Sequence, residues 1–121
     1  MDRQIIKSFV LGLVIISGCY YDSEEKLYPA TGCVTDNMSL QTNIIPILQR
    51  NCYVCHSAAV NNGNITLEGY NQLIQHVNNG KLLRAIRHDS GVSPMPQNAP
   101  KMVGCDIAKI EKWIADGALN N

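Results

Sequence analysis

Two thiols and an imidazole occupy five consecutive residues of this chain, Cys52-Tyr53-Val54-Cys55-His56. Residues three apart share one face of a helical turn, so a helix here presents both thiols on the same side. His56 directly follows Cys55, so its imidazole lies close to the two thiols. The fold must therefore hold two thiols and one ring nitrogen where a single partner can reach all three.

This spacing fits the C-x-x-C-H pattern, by which proteins attach a c-type haem. The two thiols can add across the two vinyl groups on one side of the macrocycle, while His56 offers a nitrogen to the iron beneath it. Covalent attachment keeps a large apolar cofactor on a small domain, and the haem supplies core that a short chain lacks. We therefore predict one haem c bound through Cys52 and Cys55, with His56 as an axial iron ligand.

Two other uses of the same residues remain open. A thioredoxin-like thiol pair normally lies in a βαβ pattern, and the chain has no strand-rich alternation. A structural zinc site usually takes two ligand pairs at short spacing, whereas Cys33 and Cys105 are isolated.

The start of the chain resembles an export signal. Two basic residues precede an unbroken apolar run, residues 9–16, which has the length of a signal-peptide core and is short for a membrane span. Ile16-Ser17-Gly18-Cys19 resembles the bacterial lipobox, which implies cleavage before Cys19 and acylation of its sulfur. We predict a signal peptide over residues 1–18 and a lipid anchor at Cys19. The alternative is an ordinary secretory signal or an uncleaved membrane segment.

The remaining length allows one domain. Residues 19–43 are polar and rich in acidic side chains near their start, which predicts a tether and a lead-in. Residues 44–121 then form the folded domain. The formal charge of the whole chain is zero, which argues against a nucleic-acid partner, because such partners require a basic face.

The chain resembles the small monohaem class I cytochromes c of many Bacteroidetes and Planctomycetes, from about Cys33 to Gly117. Besides the haem-attachment motif, the resemblance rests on Ile44-Ile45-Pro46-Ile47-Leu48, Gly63-Asn64-Ile65-Thr66-Leu67, Pro94-Met95-Pro96 and Trp113-Ile114-Ala115-Asp116-Gly117-Ala118. It implies an all-α, cytochrome c-like fold in which the N-terminal and C-terminal helices cross around a covalently bound haem.

Apolar spacing independently predicts helices over residues 44–55, 70–78, 80–88 and 105–116. Pro46 suits only a first turn, and Gly117 suits a helix stop.

A low-spin electron carrier needs a second axial ligand, for which we choose Met95. Ser93 and Met95 each precede a proline and are pushed towards extended backbone. Such a segment can cross the distal face and present one side chain inward. The alternative for Met95 is a gap-filling core methionine. The other candidate ligands are Met102, which the family would place in the core, His88 at the end of a helix, His76 on an exposed helix face, and Met38 in the lead-in.

The resemblance also bears on the two remaining cysteines. If the first and last helices cross as the family implies, Cys33 and Cys105 are neighbours, and an oxidising compartment favours a disulfide between them. The alternative is two free thiols.

The family resemblance implies a non-enzymatic electron carrier, which we expect to be monomeric. The lipobox resemblance implies that it is exported and lipid-anchored to the cell envelope, on its periplasmic side or at the outer membrane. Its partners would be redox proteins and, through the anchor, the membrane. Two other functions remain open. One is a haem-based gas sensor or small peroxidase with an open sixth site, and the other is a zinc-binding lipoprotein module without haem.

Overall fold

The computed structural model describes residues 32–121 of the chain. The predicted signal peptide over residues 1–18, the predicted anchor at Cys19 and the tether up to residue 31 lie outside the described residues. Within residues 32–121 the chain is helical and forms no β-strand, in agreement with the predicted all-α class. In the same range, no helix has the length and apolar character needed to cross a membrane.

The described part consists of short helices and helical turns joined by irregular segments, the longest of which separates the last two helices. In chain order, its elements are the π-helical turn Leu40–Ile44, α1 Ile45–Asn51, α2 Tyr53–His56, the 3-10 turn Asn62–Asn64, α3 Tyr70–Asn78, α4 Lys81–Arg87 and α5 Gly104–Ala115. The helices predicted over residues 70–78, 80–88 and 105–116 therefore occur, with their ends within one residue of the prediction.

The helix predicted over residues 44–55 is instead divided, and helical structure begins earlier, at Leu40. Pro46 has no N–H, and a proline ring in a helix conflicts with the carbonyl four residues earlier. The chain enters α1 through a wider turn, in which the Ile45 N–H donates to Leu40 O. A second break occurs at Cys52, whose φ of −126° separates α1 from α2. Neither interruption can be predicted from apolar spacing alone.

The early helical start depends on Asn121. Its side-chain Oδ1 accepts the Leu40 N–H at 2.9 Å, and its backbone oxygen accepts the Gln41 N–H at 2.9 Å and the Ser39 hydroxyl at 2.8 Å. The first amides of a helix have no partner within it. These contacts therefore stabilise a first turn that the apolar pattern does not mark.

Asn79 and Gly80 join α3 to α4, where the sequence predicts a turn. Gly80 has φ 72° and ψ 0°, the left-handed region in which a side chain is unfavourable. The Lys81 N–H donates to Asn79 Oδ1 at 2.9 Å, which satisfies one of the first amides of α4.

The core lies where the N-terminal turn and α1 meet α5. Ile44, Leu48, Ile110 and Trp113 are each at most 1% exposed, and the Trp113 indole N–H donates to Leu119 O at 2.9 Å. The last helix packs against the π-helical turn and against α4. The other buried apolar residues are Met38, Leu40, Ile47, Leu67, Leu73, Leu82, Ile86, Met102, Ile107 and Ala118.

A disulfide joins the segment before the first turn to the start of α5. The Cys33 and Cys105 sulfurs lie 2.04 Å apart, and the two Cα atoms lie 5.6 Å apart. The two cysteines are separated by 72 positions in the sequence. The structure thus brings together the pair that the resemblance implied.

Replacing both cysteines, Cys33→Ser with Cys105→Ser, should lower the free energy of unfolding by about 4 kcal/mol, because a long loop in the unfolded chain is no longer closed. Denaturant unfolding measures the change. Val34→Ser is the matched control, since the neighbouring Val34 side chain is 64% exposed and should contribute little. Equal unfolding midpoints for the double variant and the control would contradict the prediction.

Candidate functional site

The turn at residues 52–56 carries two unpaired thiols. The N–H groups of Cys55 and His56 both donate to Cys52 O, at 3.1 and 2.9 Å. This helical turn brings together the cysteines predicted to act as a pair. Cys52 is partly buried against the core, while Cys55 is exposed. A group bonded to both sulfurs would therefore be held at the boundary between the core and solvent.

Burial raises the pKa of the Cys52 thiol from 9.0 to about 11. Removal from water disfavours the thiolate. Thiols that act in redox exchange have lowered pKa values, because the thiolate is the nucleophile. The surroundings of Cys52 therefore oppose the thioredoxin-like alternative.

The ring of His56 is oriented by a backbone carbonyl. His56 Nδ1 lies 3.1 Å from Ile65 O. A carbonyl can only accept, so this contact requires the proton on Nδ1 and leaves the Nε2 lone pair free. Histidines that bind metals characteristically donate their other N–H to a carbonyl or carboxylate in this way. With its proton on Nδ1, His56 is in the tautomer that an iron ligand needs.

Two further hydrogen bonds hold the backbone that directly follows that ring. The Leu67 N–H donates to His56 O at 2.8 Å, and the Ala58 N–H donates to Glu68 Oε2 at 2.7 Å. Residues 65–68 therefore fix the position of His56. Neither Ile65 nor Glu68 is predicted from the sequence to be a site residue. A backbone acceptor has no sequence signature, and no motif links Glu68 to an amide ten positions earlier.

Met95 differs from the other methionines of the described part. Met38 and Met102 are each 7% exposed within the core, whereas Met95 is only half-buried. The Met95 N–H donates to Ala85 O at 3.0 Å, and its carbonyl lies 3.0 Å from His88 Nε2. These bonds tie Met95 to the C-terminal end of α4 and not to the turn that carries the thiols. The Met95–Pro96 peptide bond is cis.

The two remaining histidines have distinct surroundings. His76 was predicted on an exposed helix face, but it is half-buried on α3. Burial lowers its pKa, and the nearby charges of Lys81 and His56 lower it further. His88 caps α4 in the left-handed region and directs Nε2 at a carbonyl, so that nitrogen is already engaged.

Several apolar side chains pack against the core while keeping part of their surface exposed. They include Ile65, Ile74, Val77, Leu83 and Ile114. A separate cleft of about 260 Å³ opens beside Tyr53 and is also lined by Leu40, Ile45, Leu67, Tyr70 and Leu73. In residues 32–121, no three His, Cys, Asp or Glu side chains are grouped so that they could hold a metal ion.

Comparison of the chain with protein-family models, with curated proteins and with solved structures found no match.

In chain produced without haem, a thiol reagent at pH 8 should modify Cys55 much faster than Cys52. Cys55 is exposed, whereas Cys52 is partly buried with a pKa of about 11. The Cys52 rate should rise as the pH approaches 11, because only then does the thiolate form. Peptide mapping of the alkylated chain measures both rates, with Cys55→Ser as the control that removes the fast phase. Equal rates at both sulfurs would show that Cys52 is not protected.

Proposed function

We propose that this protein is a one-electron carrier of the cell envelope. In this proposal one haem c is bonded to Cys52 and Cys55, and His56 and Met95 are its axial ligands. The observation that carries the proposal is the His56 Nδ1 contact with Ile65 O, on a turn with two unpaired thiols. Neither an interaction module nor a redox thiol pair needs an imidazole oriented in this way.

The turn fits a covalently held group in three respects. Both thiols are unpaired, both lie on one helical turn, and the adjacent imidazole holds its proton on the nitrogen that faces the protein backbone. The Ile65 carbonyl also fixes the orientation of the ring, so that Nε2 is the nitrogen left for the iron.

Met95 is supported by elimination among the described methionines. Met38 and Met102 fill the core, where their sulfurs serve packing. Met95 lies outside that core, and its backbone is fixed through both its N–H and its carbonyl. A half-buried methionine with a fixed backbone is what a persistent axial ligand requires.

The apolar surroundings would set the properties of the site. In the described part of the chain, every buried side-chain nitrogen or oxygen has a hydrogen-bond partner. Ile65, whose carbonyl lies against the His56 ring, is partly exposed and offers apolar surface for a bound macrocycle. When bound, the haem would supply reversible one-electron chemistry at its iron. The protein's part is to keep both axial ligands in position and to exclude water.

The proposed location is the envelope, with residues 1–18 as the signal and Cys19 as the lipid anchor. The Cys33–Cys105 disulfide supports it, since disulfides persist outside the cytoplasm. The partners in this proposal are redox proteins and the membrane surface.

Full-length protein made in a host competent for cytochrome maturation should weigh more than its processed polypeptide by one haem and its acyl groups. Cys52→Ser with Cys55→Ser should remove the haem mass and leave the acyl mass. Cys33→Ser with Cys105→Ser is the matched control, because it also removes two sulfurs but should retain haem. A wild-type protein that contains zinc and no iron would support the zinc module and exclude the electron carrier.

Met95→Ala should remove the weak absorption band at the red end of the oxidised spectrum and allow rapid carbon monoxide binding to the reduced protein. Met102→Ala is the control. It should keep the spectrum but lower the free energy of unfolding by about 2–5 kcal/mol, because it leaves a cavity in the core. An unchanged band in Met95→Ala would refute Met95 as the ligand. Rapid carbon monoxide binding by the wild type would favour a sensor or peroxidase.

A further inference from the structure

We infer that His88 is a positioning residue that holds Met95 in place as the axial ligand; the inference rests on the proposed function of the site. It starts from the way α4 ends. Arg87 is the last residue of α4, and His88 follows with φ 59° and ψ 39°. This left-handed conformation is uncommon for a residue with a side chain. It turns the chain out of the helix while the His88 N–H still donates to Ala85 O, at 3.2 Å.

The His88 ring is aimed at the backbone of Met95. His88 Nε2 lies 3.0 Å from Met95 O. Because a carbonyl only accepts, Nε2 must carry the proton and donate it. The contact is partly buried, and removal from water makes the loss of such a bond more costly.

Met95 is held at two points as a result. Its N–H donates to Ala85 O at 3.0 Å, and its carbonyl accepts from His88. Both partners belong to the last turn of α4 or its cap. In the described part of the chain, His88 is the only residue whose side chain hydrogen-bonds to residues 92–98. Helix formation does not fix this segment, since it is irregular between α4 and α5.

The first part of the same loop is anchored separately. The Asp89 N–H donates to Arg84 O at 2.9 Å, and Arg84 Nη2 donates to Ser90 O at 2.9 Å. These bonds end at Ser90. His88 therefore acts on the half of the loop that carries the thioether, and Arg84 acts on the half that does not.

Removing the His88 ring should raise the fraction of protein in which Met95 is detached. His88→Gly is the cleanest variant, because glycine adopts the left-handed region readily and the backbone can keep its path. A typical single hydrogen bond corresponds to about a fivefold change in an equilibrium. We therefore expect about fivefold faster carbon monoxide binding to the reduced protein and a weaker red-end band in the oxidised protein.

Asn98→Gly is the matched control. Asn98 lies in the same loop, has φ 57° and is exposed, so it tests the same backbone change without loss of a bond to Met95. His88→Gln should restore the wild-type rate in part, because its amide N–H₂ can again donate to the Met95 carbonyl. If the His88 ring only filled space, glutamine would not restore the rate of carbon monoxide binding.

Hydrogen exchange at the Met95 amide gives a readout that does not depend on the haem spectrum. Exchange should be faster in His88→Gly than in Asn98→Gly. If the wild type carries haem and His88→Gly matches Asn98→Gly in exchange and carbon monoxide binding, the role of His88 is refuted and the electron carrier stands. If the wild type carries no haem, the proposed function itself fails and the inference with it. If His88→Gly does not fold, His88→Asn replaces it, because asparagine tolerates the left-handed region but its shorter side chain does not extend as far as Nε2 does. A rate about fivefold above that of wild type supports the inference, and a rate equal to that of wild type refutes it.

Discussion

The packing of the last helix on the first helical turn is the contact on which this structure depends. Ile110 and Trp113 of α5 are buried with Ile44 and Leu48, all at most 1% exposed. The disulfide and the hydrogen bonds of Asn121 close the same junction from two sides. Because Cys52 directly follows α1, this junction also fixes where the two thiols emerge. The position of the candidate site is therefore determined by a contact between residues far apart in the chain.

Beyond that junction, the candidate site is assembled from loops held by hydrogen bonds to backbone groups. Residues 65–68 hold the His56 turn through three contacts, and the end of α4 holds Met95 through two. Each arrangement uses one side chain, Glu68 or His88, and otherwise backbone carbonyl and amide groups. The contacts of Ile65 and Ala85 therefore do not depend on the side chains of those two residues. A domain with a small core thereby holds both the His56 ring and the Met95 backbone in fixed positions.

The sequence predicted the helical class and three of the helices to within one residue, because α3, α4 and α5 have strong apolar spacing and clear turn residues such as Gly80. The prediction was wrong for the first helix. There the chain passes Pro46 through a wider turn, and Asn121 makes a long-range contact with the first amides. Apolar periodicity predicts neither effect. Motif spacing identified Cys52, Cys55 and His56 as a group. The supporting Ile65 carbonyl, the Glu68 carboxylate and the half-buried state of His76 depend on how loops fold back, which no local pattern records. The cytochrome c-like topology and the bound haem remain proposals.

The unequal exposure of the two thiols has a consequence for biogenesis. Once α1 is docked, Cys55 is open to a modifying enzyme, but Cys52 is partly covered and protonated. On the proposed function, both sulfurs must be alkylated by one porphyrin. Haem attachment would then have to occur before α1 is fully packed. Formation of the core and haem attachment would therefore compete in time. A variant that folds faster around α1 would therefore carry fewer thioether bonds, not more, when it leaves the secretion pathway.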